Sequence, residues 1–407
     1  MNICVWSGSS FEKSYASYHL MEGIVNAILD KGHKVYLVQM KRSNGAMPVS
    51  LQNRENIEVV NIPWVDPEKT NFVKRYLNSI KYYKVCEKEI KKIGKIDVVF
   101  LQSNTVAYFP VSFCKKNRIP VLFNVQDIFP IDALVTGILS KKHPAFISSR
   151  MMMKAAYKKA DRVVTISEDL KKTIQDEGRK KVDVVYNWSY QNTPYDIKDE
   201  DNHFLKEYRI QREDGFRIVY AGNIGKMMNA EMMVQTAVRL KDYRDIKFYI
   251  IGTGSNVKYL TRRVEEEKLE NMLFFPSQPM EYAPDNYCMA DVNINPVPKG
   301  VMYTCMPSKT NTCLLSQKPT VVSMDLDSDM AKRLSKVDQW TVVAPDDADA
   351  MAAAILEYYR GIDWKHGEEK KSVDAGEFMS KLGPVENAYE YVRILEEAAK
   401  GKSNEEA

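Results

Sequence analysis

Three stretches in the second half of the chain set small residues, two of them beside lysine, at points where an apolar run ends. The first is Pro307-Ser308-Lys309, which follows the run 290–295 and a loop through Gly300. Proline suits the first position of a helix because its missing N–H has no partner to lose there. The first-turn N–H groups, the Ser308 hydroxyl and the Lys309 ammonium would then face the loop as an anion site. The others are Gly222-Asn223-Ile224-Gly225-Lys226, after the run 216–221, and Gly252-Thr253-Gly254, after 247–251. Neither is a GxGxxG fingerprint or a GxxxxGK[ST] phosphate loop, and each alone is equally an ordinary turn. Three candidate anion contacts at one sheet edge point to a nucleotide diphosphate. In the first half, the run 120–125 delivers Gln126-Asp127-Ile128-Phe129-Pro130. Asp127 there is placed either for acid–base work at a strand end or to cap the next helix. Gly8, after the opening run 2–6, allows either a ligand's approach to the backbone or a plain turn.

The elements that must hold these residues alternate strand and helix. Short apolar runs at 2–6, 34–39, 58–62, 97–102, 120–127, 161–167 and 182–186 are separated by segments of helical period. A second such series runs from Phe216 to Ala344, and closing helices are expected at 350–359 and 384–399. This alternation predicts α/β architecture with two tandem doubly wound, Rossmann-like domains. Residues 191–204 are polar, hold a proline and lack periodicity, so they read as a linker. The expected boundaries are 1–190, a linker at 191–204, 205–383, and a C-terminal helix at 384–407.

At 407 residues the chain can bury more than one core. No apolar run approaches a membrane span, and residues 1–30 lack the basic-then-apolar order of a signal peptide, so a cytoplasmic location is expected. The six cysteines form no CxxC pair, and no His/Cys/carboxylate cluster has metal-ligand spacing. Neither a metal nor a cofactor is expected, and no nucleic-acid partner. Charge is uneven: residues 1–190 hold 30 Lys/Arg against 18 Asp/Glu, or +12, and 191–407 hold 28 against 36, or −8. Opposite signs suggest different partners for the two halves.

The order and spacing of these motifs resemble the GT-B fold glycosyltransferases of family 4, the bacterial polysaccharide and glycolipid type. The resemblance rests on Tyr220-Ala-Gly-Asn-Ile-Gly225, Ile250-Ile-Gly-Thr-Gly254, Tyr287–Val292, Pro307-Ser-Lys309 and Lys318-Pro-Thr-Val321. In the first half it rests on Gln126–Pro130, Ala160–Ser167 and Asn187-Trp188. It implies a nucleotide-sugar, a UDP-sugar above all, in the second domain and an acceptor, saccharide or lipid-linked, in the first. It also implies chemistry in a cleft, transfer with retention, and a C-terminal helix that returns to the first domain. Family members often carry two glutamates flanking the phosphate helix, the second on the ribose; here those positions are Thr304 and Thr312. A common Gly-Arg phosphate contact is Gly222-Asn223, which leaves the charge to Lys226 or Lys309, and a frequent histidine is Gln126.

Two other functions share this architecture: a sugar-nucleotide epimerase, and a non-catalytic subunit that kept the fold. The five histidines, none in a strand-end motif, weigh against the epimerase. Two basic segments bear on location. Residues 71–96 carry eight Lys/Arg and two Glu, with an apolar stripe on one helical face. Residues 141–159 carry Lys141, Lys142, Arg150, Lys154, Lys158 and Lys159 with no acid, beside Met151-Met-Met153. Each is either a core helix with solvated lysines or part of a surface that rests on the anionic inner leaflet.

Overall fold

The computed structural model of the chain describes residues 1–8, 10–11, 18–41, 47–64, 72–189, 191, 193–361, 364 and 376–401. Of the expected linker Asn192, and of the C-terminal segment residues 402–407, lie outside the described residues. Strands β1 (Asn2–Trp6), β2 (Lys34–Lys41), β3 (Ile57–Pro63), β4 (Val98–Leu101), β5 (Val121–Val125), β6 (Arg162–Thr165) and β7 (Asp183–Val184) form one sheet, in the order β3-β2-β1-β4-β5-β6-β7. Strands β8 (Phe216–Ala221), β9 (Ile246–Ile251), β10 (Met272–Phe275), β11 (Val292–Pro296), β12 (Thr320–Ser323) and β13 (Trp340–Val343) form a second, in the order β10-β9-β8-β11-β12-β13. All neighbours pair in parallel. Both sheets reverse direction once, between β1 and β4 and between β8 and β11. That switch point is where doubly wound sheets offer a ligand crevice.

The chain divides into two compact units. Unit 1 comprises Met1–Tyr190, Tyr303–Met306 and Lys381–Ala407; unit 2 comprises Gln191–Met302 and Pro307–Ser380. In unit 1 the inner strands of the sheet are buried on both faces, which is why they read as nearly unbroken apolar runs, whereas the edge strands β3 and β7 are half-buried. Cys4, Trp6, Val99 and Leu101 enter one core, and Ile3, Val5, Val98 and Phe100 enter the other, following the two-residue period of a strand. The second core is covered by the helices Tyr18–Asp30 and Pro384–Ala399. The latter opens with proline after Gly383 and buries Ala388, Tyr391, Val392, Leu395 and Ala398. Glu397 on this helix accepts from Arg162 at 2.7 Å, and the Tyr391 hydroxyl donates to Asn124 Oδ1 at 3.0 Å.

The stretch 191–204, read above as a linker, lies in unit 2. Tyr195 N–H donates to the Leu315 carbonyl at 2.8 Å, and the Asp199 carboxylate accepts from Arg212 at 2.8 Å and Arg217 at 2.7 Å. Burial alone would raise the Asp199 carboxyl, but the two guanidinium charges outweigh it and hold the pKa below the usual range. A polar segment is thus secured by ion pairs formed across sequence. Among the described residues, no helix is long and apolar enough to cross a membrane, and all six cysteines are buried free thiols.

Candidate functional site

In unit 2 the loops after β8 and β9 pack backbone against backbone. Gly222 has φ +126° and Gly252 φ +146°, conformations that favour glycine. A Cβ on Gly252 would lie 1.9 Å from the Gly222 carbonyl oxygen, so no side chain fits. A Cβ on Gly222 would meet Lys309 Cε at 2.6 Å, so the lysine stem lies against the bare backbone of the β8 loop. The two loops are joined by Gly222 N–H to Ile251 O at 2.9 Å and Ile224 N–H to Thr253 O at 2.8 Å. Gly254 meets the Ile224 carbonyl in the same contact, and Asn256 Nδ2 donates to Gly225 O at 3.1 Å. The N–H groups of Asn223 and Gly254 have no acceptor among the described residues.

Four residues not assigned to the site from the sequence brace this edge. Tyr220 donates from its hydroxyl to Asn223 O at 2.7 Å, and Tyr287 to Ala221 O at 2.8 Å. Burial raises both phenols, so they remain donors at neutral pH. Lys309 Nζ sits 5.2 Å from the Tyr220 ring centroid, within cation–π range. Asn229 caps the helix Ala230–Arg239 and ties the loop to the ends of β11 and β13, through Pro296 O at 2.9 Å and Pro345 O at 2.8 Å. The fourth, Asp325, accepts from Gly300 N–H at 2.7 Å and anchors the loop after β11. Tyr220 sits near a strand end, Tyr287 in the helix Ala283–Cys288 and Asn229 at a cap, but only the folded sheet shows which carbonyls they reach.

Lys309 opens the seven-residue helix Lys309–Leu315, with exposed Ser308 at its cap position and Pro307 just before it. The expected helix start at Pro307 is therefore displaced by two residues. Thr312 is half-buried one turn into this helix, and Lys226 is exposed in the turn after Gly225. Cys313 beside them is no nucleophile, because burial pushes its thiol up to about 12 against the lowering charge of Lys309. Thr304 belongs instead to unit 1, fully buried in the segment Tyr303–Met306.

In unit 1 that segment lies along the loop after β5. Cys305 forms an isolated antiparallel bridge with Asp127, and Ile128 N–H donates to Thr304 O at 2.8 Å. Asp127 does not cap the next helix. The helix Ile131–Val135 starts after the cis Phe129–Pro130 bond, with Pro130 at its cap position and no side-chain cap hydrogen bond. The Asp127 side chain is exposed, yet the protein around it disfavours the charge and raises its pKa. Asp132 was not singled out from the sequence. Burial, with the nearby Asp127 charge adding to it, pushes its carboxyl to about 7 against a hydrogen bond from Ala133 N–H at 2.6 Å.

Beside this pair runs a chain of amides. Asn187 donates to Gln126 Oε1 at 2.7 Å, Gln126 to Asn124 Oδ1 at 3.3 Å, and Asn124 to Gln102 Oε1 at 2.8 Å. Gly8 follows β1, where a Cβ would lie 2.7 Å from the Tyr83 hydroxyl oxygen. Among the described residues no group of three or more His, Cys, Asp or Glu side chains could hold a metal ion.

With this geometry in hand, the family models match both units. Residues 20–188 match Glycosyltransferase Family 4, and residues 215–360 match Glycosyl transferases group 1. The chain belongs to the family 4, group 1 glycosyltransferases. The probable glycosyltransferase WbjE of Pseudomonas aeruginosa is 23% identical over 57% of this chain and 58% of its own length. The putative colanic acid biosynthesis glycosyl transferase WcaI of Escherichia coli strain K12 is 23% identical over 61% of this chain and 64% of its own. The chain thus spans less than two thirds of each of these relatives. Among solved structures, a trehalose-6-phosphate structure from E. coli bound with UDP-2-fluoro glucose is similar, with TM-score 0.66 and 12% identity over 97% of this chain and 99% of that one. That likeness, with two parallel doubly wound sheets, gives the GT-B fold.

Proposed function

We propose that this glycosyltransferase-family protein moves a sugar with retention from a nucleotide-diphosphate sugar, a UDP-sugar in our reading, to a saccharide or lipid-linked saccharide acceptor during cell-surface polysaccharide synthesis. The observation that carries the proposal is the close packing of Gly222 and Gly252 beside Lys309, which leaves backbone N–H groups and one ammonium at a single sheet edge. The names of WcaI and of the UDP-2-fluoro glucose complex support the same reading.

As the bond between the sugar C1 and the diphosphate oxygen breaks, negative charge grows on the leaving group. Lys309, the Ser308 hydroxyl and the N–H groups of Asn223 and Gly254 stabilise it, with Lys226 as a second cation and no metal. The sugar carries oxocarbenium character at that moment. The acceptor oxygen forms the new bond to C1, and Asp127 orients its hydroxyl and takes its proton. No enzymic nucleophile is assigned. Gly8 is placed for an approach to the unit 1 backbone. Thr312 gives one neutral hydrogen bond to a ribose hydroxyl, Pro307 precedes the phosphate helix that opens at Lys309, and Thr304 acts through the segment that pairs with Asp127. On the same reading the protein is cytoplasmic and rests on the inner face of the membrane.

The test is a screen of nucleotide-sugars by thermal shift and by hydrolysis, followed by NMR analysis of the product anomer. Stabilisation by a UDP-sugar and a product of retained configuration are expected. Failure of every nucleotide to bind would favour a non-catalytic subunit, and C-epimerised nucleotide-sugar would favour an epimerase.

A further inference from the structure

A cavity of about 520 Å³ opens on the surface of unit 1, between the helix Ile131–Val135 and the helix Pro144–Lys159. Ile131, Leu134, Phe146, Ile147 and Met151 line its apolar side. Lys141, Arg150 and Lys154 line the rest, and no acidic residue does. The helix sorts its residues by turn. Phe146, Met153, Ala156 and Tyr157 are buried in the core, whereas Ile147 and Met151, one turn apart, stand on the open face. Their exposures are 49% and 67%, and Ile138 in the preceding loop is 51% exposed. Large apolar side chains left this open beside cations mark an interaction surface rather than a solvated face. The sequence alone left segment 141–159 open between a core helix with solvated lysines and a membrane-facing surface, and this exposure favours the second.

The cations are unequally engaged. Arg150 is held by Glu177, with its Nε 2.9 and 3.0 Å from the two carboxylate oxygens, and Lys154 Nζ lies 3.6 Å from the same group. Glu177 is therefore shared, and Lys141 forms no ion pair among the described residues. Three lining cations against one carboxylate leave the cavity positive. Its volume lies in the range of small-ligand sites. It fits a phosphoglycerol headgroup and its first methylenes better than a bare ion, since five of the eight lining residues are apolar.

We propose that this cavity binds the phosphate-bearing headgroup of an anionic membrane lipid, with Lys141 and Lys154 on the phosphate and Ile147 and Met151 inserted among the first acyl carbons. The proposal deepens the membrane placement above by assigning it a discrete site. Arg150, tethered to Glu177, fixes the cavity wall, while the freer Lys141 closes on the headgroup. Met151 suits insertion because its unbranched side chain adapts to fluid surroundings. Charge complementarity selects the lipid over an apolar protein partner: six basic residues and no acid lie in 141–159.

The experiment uses the full chain and two probes. Monomeric dihexanoyl phosphatidylglycerol, below its micelle concentration, tests the cavity without a bilayer; dihexanoyl phosphatidylcholine and inorganic phosphate are controls. Vesicles of phosphatidylcholine with and without phosphatidylglycerol test the surface. Lys141→Glu and Met151→Asp alter exposed side chains, and melting curves verify that both variants fold. The expected result is one-to-one binding of the anionic short-chain lipid, weaker binding of both controls, and at least a fivefold loss in each variant. Vesicle binding should need phosphatidylglycerol and fall in parallel. If anionic vesicles bind the wild type but the variants bind equally well, the cavity assignment fails and the membrane placement stands. Absence of vesicle binding at low salt defeats both. Concentration-dependent dimerisation that Met151→Asp abolishes, without lipid binding, would assign the surface to a second copy and overturn the proposal.

Discussion

The two sheets end in loops at equivalent topological positions, but those edges are made of different chemistry. In unit 2 the edge is backbone: glycines at positive φ, carbonyls within contact of neighbouring loops, and a single lysine laid across them. In unit 1 the edge is side chain: Asp127 and Asp132 with raised carboxyls, next to hydrogen-bonded Gln102, Asn124, Gln126 and Asn187. A bare backbone brings many N–H dipoles close to a polyanion at fixed positions and adapts poorly to anything else. Side chains of mixed polarity suit hydroxyl groups and proton transfer. On the proposed reading the same architecture carries two tasks, a diphosphate at the backbone edge and an acceptor hydroxyl at the side-chain edge.

The largest expected effect is at Gly252. Alanine there would place a Cβ 1.9 Å from the Gly222 carbonyl oxygen at φ +146°, so the loop must move. Gly252→Ala should cost about 2–4 kcal/mol of stability in chemical denaturation, from backbone strain and overpacking together. A stability within a few tenths of wild type would show that the backbone edge is looser than this packing implies.

Next comes Asp127. Asp127→Asn keeps the shape of the side chain and removes the proposed base, and should lower turnover about a hundredfold or more with the melting temperature unchanged. A lowered melting temperature with intact turnover would make unit 1's edge structural, and the contrast between the edges would fall.

Asp132 sharpens the comparison through pH. In the folded chain its carboxyl keeps a proton to about pH 7, whereas its ordinary pKa is 3.8. Between these values the unfolded chain binds fewer protons, so this group makes stability fall as pH rises through that window. Asp127 and Asp132 interact, so the observed midpoint belongs to the pair. After discounting for partial exposure, Asp132→Asn should relieve about 1–2 kcal/mol at pH 8 and nothing near pH 3. Denaturant midpoints across this range give the answer, and a pH-independent difference would refute the burial.

The smallest effect is at Thr312. Replacing its one short neutral hydroxyl with a carboxylate, Thr312→Glu, should tighten nucleotide binding by about 1 kcal/mol, the worth of one hydrogen bond. Weaker binding would mean that the ribose lies elsewhere.

Much of the fold was legible because local signals agreed with the global one. Continuous apolar runs are what strands buried on both faces require, and the glycines of 222–254 fell where strands end. The segment 191–204 misled because its polarity looked like solvation, while Asp199 finds Arg212 and Arg217 only after the chain folds. Thr304 and its neighbours read as part of the phosphate loop, yet Tyr303 O accepts from Thr173 Oγ1 at 2.8 Å in unit 1. Asp132 carries no local motif at all; its shift comes from burial, which spacing does not encode. The helix at 144–159 showed its charge in the sequence but not which methionine faces water.

The comparison turns most directly on one titration: UDP into the wild type, Lys309→Ala and Asp127→Asn by calorimetry. If the backbone edge with Lys309 holds the diphosphate, Lys309→Ala weakens binding by about 1.5–3 kcal/mol, typical of a charge-assisted hydrogen bond, and Asp127→Asn leaves it unchanged. Equal affinity for UDP in the wild type and Lys309→Ala would contradict it.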